Sequence, residues 1–258
     1  MPEPRGRRHP LFLRLLKPLD PVYPDAVTPV AWDEDRLLDE EEGAVYIVTR
    51  HCAQMRTWAR QLRKLHDSDE TYKTEQGLSR LSGAPLRDAN LRALGTSRDL
   101  YAEDGRELQS GRFAVRAYIT TDLLAIVTER LGGDAVGFVS FGLRWIADRC
   151  TGRGEVDELE VELDQAWMAP AFRRRGWGEL AATAIACATR RHVDQVEATT
   201  HWPAGFVAPL KITVSADLYS TSGEALLTKC ADYVALAFGF SSELQRVRVS
   251  EIVLDGRW

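Results

Sequence analysis

The 258 residues are 45% hydrophobic and 28% charged, an ordinary balance for a globular chain able to bury a sizeable core. A net charge of -5 argues against a nucleic-acid partner and for a cationic substrate. Four widely spaced cysteines without a Cys-x-x-Cys pair, and five histidines without ligand spacing, exclude a disulfide framework and a zinc knuckle, which fits a reducing cytoplasm and no metal.

In chain order, residues 1–43 read as an N-terminal extension. Seven of the eleven prolines lie between Pro2 and Pro29, which excludes long regular elements there. The opening MPEPRGRRHPLFLRLLKPLD imitates a secretory signal, but Arg14 and Lys17 interrupt its apolar part, and no small-residue cleavage site follows. An ordered or semi-ordered arm is the reading, with a basic amphipathic membrane contact as the alternative. No run is long enough to span a bilayer. The acidic cluster from Asp33 to Glu42 reads as a solvated linker or helix face.

AVYIVTR (44–50) is β-branched and aromatic, the pattern of a strand. Met55, Trp58, Leu62 and Leu65 then fall at helical spacing. Residues 67–111, polar and punctuated by Gly, Ser and Pro, read as a helical or irregular insertion. RFAVRAYIT, DLLAIVTERL and AVGFVSFGLRW read as successive antiparallel strands, the last two joined by Gly132-Gly133-Asp134. In DELEVELDQAWM (157–168), Leu159, Val161 and Leu163 face one way, and Glu158, Glu160, Glu162 and Asp164 the other. Continued alternation turns Trp167 away from Glu162. An Ala-rich helix from Gly176 to about His192, the loop HWPAGFVAP, the strand LKITVSADLY, the helix SGEALLTKCADYVALAF and the strand LQRVRVSEIVLDG complete the chain. The fold class is α+β, an α/β sandwich with a central mixed, mostly antiparallel sheet and flanking helices.

The stretch WMAPAFRRRGWGEL (167–180) carries the strongest functional signal. A strand ends, a glycine-bearing turn follows, and a helix begins. Helix N-termini expose unpaired N–H groups with partial positive charge, which suits phosphate. The stretch is neither a Walker loop nor GxGxxG.

Arg173-Arg174-Arg175-Gly176-Trp177-Gly178 resembles the R/Q-x-x-G-x-G/A signature of the GNAT family of N-acetyltransferases. Met168-Ala169-Pro170 stands where that family has an apolar-x-Pro segment, and DAVGFVSF resembles its third strand. The resemblance covers 44–258 in element order and about 135–192 in motif. It implies an acyl-CoA N-acyltransferase domain over 44–258, carrying the insertion, with acetyl-CoA or another acyl-CoA as co-substrate. Pyrophosphate would lie on the backbone N–H groups of residues 174–178, within the cofactor-binding stretch Arg173, Arg174, Arg175, Gly176, Trp177 and Gly178. Pantetheine would pair with the main chain at Ala166 and Met168, where the strand splays from LKITVSADLY. A backbone N–H near Met168 would polarise the acyl carbonyl.

Amine acylation needs a base. Glu162, eleven residues before Arg173, matches the family's glutamate, and Asp164 on the same face is second. The alternative is a solvated acidic strand face. Tyr219 is the candidate proton donor for the leaving thiolate. Tyr233 reads as core, and the family's tyrosine position, counted from Ser222, holds Lys229. The acceptor implied is a small-molecule or protein amine, and a homodimer is compatible. The competing functions are a non-catalytic binding or regulatory protein on the same fold, and a transferase acting on charged tRNA, which the net charge disfavours.

Overall fold

The structure, a computed structural model, describes residues 27–29, 43–50, 52–69, 95–107, 113–148, 157–199, 205, 207–217, 220–239 and 246–257. The acidic cluster at 33–42 and most of the HWPAGFVAP loop lie outside them.

The described elements are β1 (Val27–Pro29), β2 (Ala44–Val48), α1 (Ala53–Asp67), β3 (Gly95–Glu107), β4 (Phe113–Thr128), β5 (Ala135–Asp148), β6 (Asp157–Met168), a 3-10 turn (Pro170–Phe172), α2 (Trp177–Thr199), β7 (Ala208–Asp217), α3 (Thr221–Gly239) and β8 (Val247–Arg257). One mixed sheet takes the order β1-β2-β4-β5-β6-β7-β8, with β3 also on β4. Pairing is antiparallel from β1 to β6, and β6-β7 and β7-β8 are parallel. The two parallel steps are βαβ crossovers through α2 and α3, which need helices to connect them. The α+β class and mixed, mostly antiparallel sheet agree with the sequence reading. No described helix is long and apolar enough to cross a membrane.

Three elements depart from expectation. RFAVRAYIT and DLLAIVTERL form one sixteen-residue strand, β4, because Thr120-Thr121-Asp122 contains no turn-forming glycine or proline. Strand β3 runs through the segment read as helical or irregular and pairs with β4 from Gly95↔Asp122 onward. Helix α2 continues past His192 to Thr199, because buried Val193 and Val196 extend its apolar stripe.

The sheet is packed on both faces. Helices α2 and α3 cover one, against Val139, Phe141, Leu143 and Trp145 of β5, Leu159, Val161 and Leu163 of β6, and Ile212 and Val214 of β7. Helix α1 covers the other through Met55, Trp58, Ala59 and Leu62, against Tyr46, Leu124, Ile126, Phe138 and Trp167. Each such fully buried apolar side chain contributes about 1.5–3 kcal/mol relative to exposure. Polar contacts register α1: Trp58 Nε1 donates to the Gly133 carbonyl at 3.3 Å, and Gln61 bridges Asp134 and the Ala135 N–H. Arg190, inside α2, donates to Asp194 and to the Ala237 carbonyl and lies 5.5 Å from the Phe238 ring centre. It thereby joins α2 to α3.

Candidate functional site

Strand β6 meets β7 only from Asp157↔Leu210 to Leu163↔Ala216. Its pairing with β5 shifts register between Phe141↔Leu163 and Ser140↔Gln165, so Asp164 is an extra residue, a β-bulge. Bulges bend a strand and sharpen its twist. Beyond this bend, among the described residues, Gln165 to Met168 pair with β5 alone, and one edge of their backbone is open. Ala166 and Met168, where the resemblance implies a splay, lie on that edge.

The bulge also reverses the alternation. Leu163 lies in the core beneath α2 and α3, whereas Trp167 lies in the core beneath α1, on the face of Glu162. The expectation that Trp167 faces away from Glu162 is corrected: it is buried, but on the same face.

After β6, the Ala169 N–H donates to the Val136 carbonyl at 2.8 Å, and Pro170 opens the 3-10 turn, where its missing N–H costs nothing. The chain then passes through left-handed backbone at Arg174 (φ 62°) and Gly176 (φ 82°). Glycine tolerates this; arginine is strained by it. Gly176 caps α2: its carbonyl accepts from the N–H groups of Glu179 (2.9 Å) and Leu180 (3.2 Å). Among the described residues, the N–H groups of Arg174 to Gly178 have no main-chain acceptor. Four of these residues, Arg174, Gly176, Trp177 and Gly178, line one space, and unpaired donors at a helix N-terminus make a cradle suited to an anion.

This cradle is one wall of a cavity of about 570 Å³. Arg173, Arg174, Gly176, Trp177 and Gly178 line that wall, and Ala166 and Met168 line another. The start of α3 supplies a third through Ser220, Ser222 and Gly223. Ser220 caps α3, its hydroxyl accepting from Gly223 N–H at 3.1 Å and its carbonyl from Glu224 N–H at 3.1 Å. Two helix N-termini and an open strand edge therefore face one space. Arg175 stands outside it, exposed, with its guanidinium 5.6 Å from the Phe172 ring centre.

Two glycines shape this wall. Met168 packs on Gly137, where a Cβ would come within 2.6 Å of its Sδ. The Trp177 ring occupies the space of a side chain at Gly43, where a Cβ would fall 1.5 Å from the ring. Gly43→Ala is expected to expel the indole and cost about 1–3 kcal/mol, the usual range for overpacking; urea unfolding checks it.

The rim carries Glu179 and Lys229. Glu179 accepts from the Tyr233 hydroxyl at 2.5 Å and from Lys229 Nζ at 3.3 Å. The Tyr233 bond, then Lys229, lowers its pKa, and the same bond raises that of Tyr233. Tyr233 thus presents its hydroxyl to the rim rather than serving only as core. Tyr219 lies outside the described residues.

The carboxylates of β6 are differentiated. Glu158 accepts from Thr213 at 2.5 Å and lies 3.5 Å from Lys211 Nζ. Glu160 accepts from Arg144 at 3.0 Å and Ser215 at 2.9 Å. Glu162 accepts from the other Arg144 nitrogen at 2.5 Å. Asp164 has no salt bridge among the described residues; the Ser140 hydroxyl donates to it at 3.3 Å. Asp164 is itself exposed, while the neighbouring chain partly desolvates its carboxyl. That desolvation, followed by the charges of Glu162 and Asp122, raises its pKa to about 6. Such a group accepts a proton near neutral pH. Neither Glu162 nor Asp164 lines the cavity; they lie farther back along the strand that does.

Sequence reasoning missed Arg144, Gly43 and Asp69, a buried carboxylate bonded to Arg173. Each acts on a residue that neighbours it in the fold and not in the local sequence, so no local spacing signals it. The sequence matches no protein-family model and no curated protein at a significant level.

Proposed function

We propose that this chain is an acyl-CoA-dependent N-acyltransferase of the GNAT type, transferring an acetyl or related acyl group to a cationic primary amine. The observation that carries this reading is the convergence of the open β6 edge and two helix N-termini on one cavity. A polyanionic head with an amide-bearing arm suits that combination: pyrophosphate on the cradle from Arg174 to Gly178, pantetheine amides along Gln165–Met168.

In the reaction, Asp164, ahead of Glu162, takes a proton from the ammonium. The free amine nitrogen attacks the thioester carbonyl carbon, a C–N bond forms, and the C–S bond breaks. The carbonyl oxygen is polarised by a main-chain N–H of the open edge. The attacking nitrogen, left with one proton too many, releases it to solvent, and the thiolate takes a proton from the ammonium of Lys229 on the cavity wall, which solvent replenishes. Glu162, Asp164 and Asp122 together favour a cationic acceptor.

Thermal unfolding with acetyl-CoA tests the reading. At one hundred times Kd, binding stabilises by about 2.7 kcal/mol, a rise of several degrees for a chain of this size. Gly178→Asp should abolish the rise. A Cβ at Gly178 meets nothing within 4 Å, and a carboxylate in the first turn suits the helix, so the variant folds while repelling phosphate. Gly176 is a poorer choice, because its positive φ strains any side chain. A wild-type midpoint indifferent to acetyl-CoA refutes the proposal.

A further inference from the structure

Asp69 follows α1 and its carboxylate is fully buried, with 0% side-chain exposure. A buried charge is costly unless paired and hydrogen-bonded, and beside a helix C-terminus the dipole opposes it further. Its partners come from 98 and 104 residues downstream. Trp167 Nε1 donates at 3.1 Å, and Arg173 Nη2 donates at 2.5 Å. The same guanidinium donates through Nε to the Met168 carbonyl at 2.9 Å. One buried carboxylate thus grips both ends of the segment from Trp167 to Arg173, and Arg173 is the residue just before the strained Arg174. His66, one turn earlier, packs edge-on against the Trp167 ring at 5.4 Å. The planar fork of arginine alone serves both acceptors at fixed angles; a lysine ammonium is a single point on a flexible stem.

We infer that Asp69 is a positioning residue for cofactor binding: through Arg173 it holds the loop at 174–178 in the strained shape that forms one wall of the cavity. This rests on the reading of the cavity as an acyl-CoA site. The Arg173 side chain consequently acts on the loop rather than on phosphate, and phosphate recognition falls to the backbone. Displacing such donors by an ångström costs up to a hundredfold in comparable systems.

The test uses the full chain and two variants, Asp69→Asn and Arg173→Lys, with two readouts. The first is amide hydrogen exchange without ligand at Phe172, Arg173, Glu179 and Leu180, whose N–H groups are bonded to carbonyls of this turn; the second is calorimetric titration with CoA. Both variants are expected to exchange faster in this segment and to bind CoA about tenfold or more weakly. KM for acetyl-CoA should rise while kcat at saturation changes little. The double variant should be no worse than the weaker single one, since both break the same link. Unaltered exchange at these four amides in a folded variant, or unaltered CoA affinity, overturns the inference. If Asp69→Asn does not fold, Arg173→Lys, which keeps a cation beside Asp69, carries the same decision. Faster exchange in the variants, together with a wild type that binds no CoA, refutes the acyl-CoA reading and leaves a loop clamp without this ligand, so the two failures are distinguishable.

Discussion

Asp164→Asn is expected to lower kcat for amine acylation by about 10²- to 10⁴-fold, the range for loss of a positioned general base. Glu162→Gln is expected to cost less, because Glu162 is held by Arg144 and Asp164 is not. The pH profile separates a base from a scaffold residue. With its pKa raised to about 6, Asp164 is protonated and idle below pH 6 and ionised above it. The wild-type rate at saturating acetyl-CoA should therefore climb through about pH 6, and the Asn variant should lack this limb. Stability should move the other way. Holding a desolvated carboxylate beside Glu162 and Asp122 disfavours the folded state above pH 6, so the amide should be tolerated or stabilising. A variant that unfolds, or one that retains the limb at pH 6, would remove Asp164 from the role.

The cradle was legible because its physics is local. Pro170, Gly176 and Gly178 mark a turn and a helix start within nine residues. The same holds for β6, whose alternation of leucine and valine with carboxylates set both of its ends. What escaped is non-local or silent in composition. No glycine or proline announces the bulge at Asp164, so alternation carried past it assigns Trp167 to the wrong face. The Asp69–Arg173 link spans 104 residues. Nor does the row of four carboxylates reveal which is special: Arg144, Lys211, Thr213 and Ser215 occupy the first three, and only the register of neighbouring strands shows this. β3 was missed because its polar sequence lacks the apolar alternation by which strands are read.

His192→Gln is expected to remove about 3 kcal/mol of acid sensitivity from folding. His192 lies inside α2, fully buried, and its Nε2 accepts from Trp145 Nε1 at 2.7 Å. The neutral ring therefore carries its proton on Nδ1, which has no partner among the described residues. Burial depresses its pKa from 6.5 to about 4. From pH 6.5 down to about 4, the unfolded chain binds a proton that the folded chain refuses, so folding weakens across that window and keeps its full contribution above pH 6.5. At 1.36 kcal/mol per unit, a shift of that size gives the figure of about 3 kcal/mol. Glutamine can accept from Trp145 and does not titrate over this range. Asp164 works with the opposite sign, but it is present in both proteins and cancels in the comparison. Urea unfolding at pH 7 and pH 4.5 should show the wild type losing more stability than the variant; equal losses would remove His192 from the account. The consequence reaches the cavity, because the helix that carries His192 begins at Trp177. In the folded chain His192 takes its proton only near pH 4; that protonation pries α2 from Trp145 and loosens the helix whose N-terminus forms the cradle, so CoA affinity should fall near and below pH 4 in the wild type and fall less in His192→Gln.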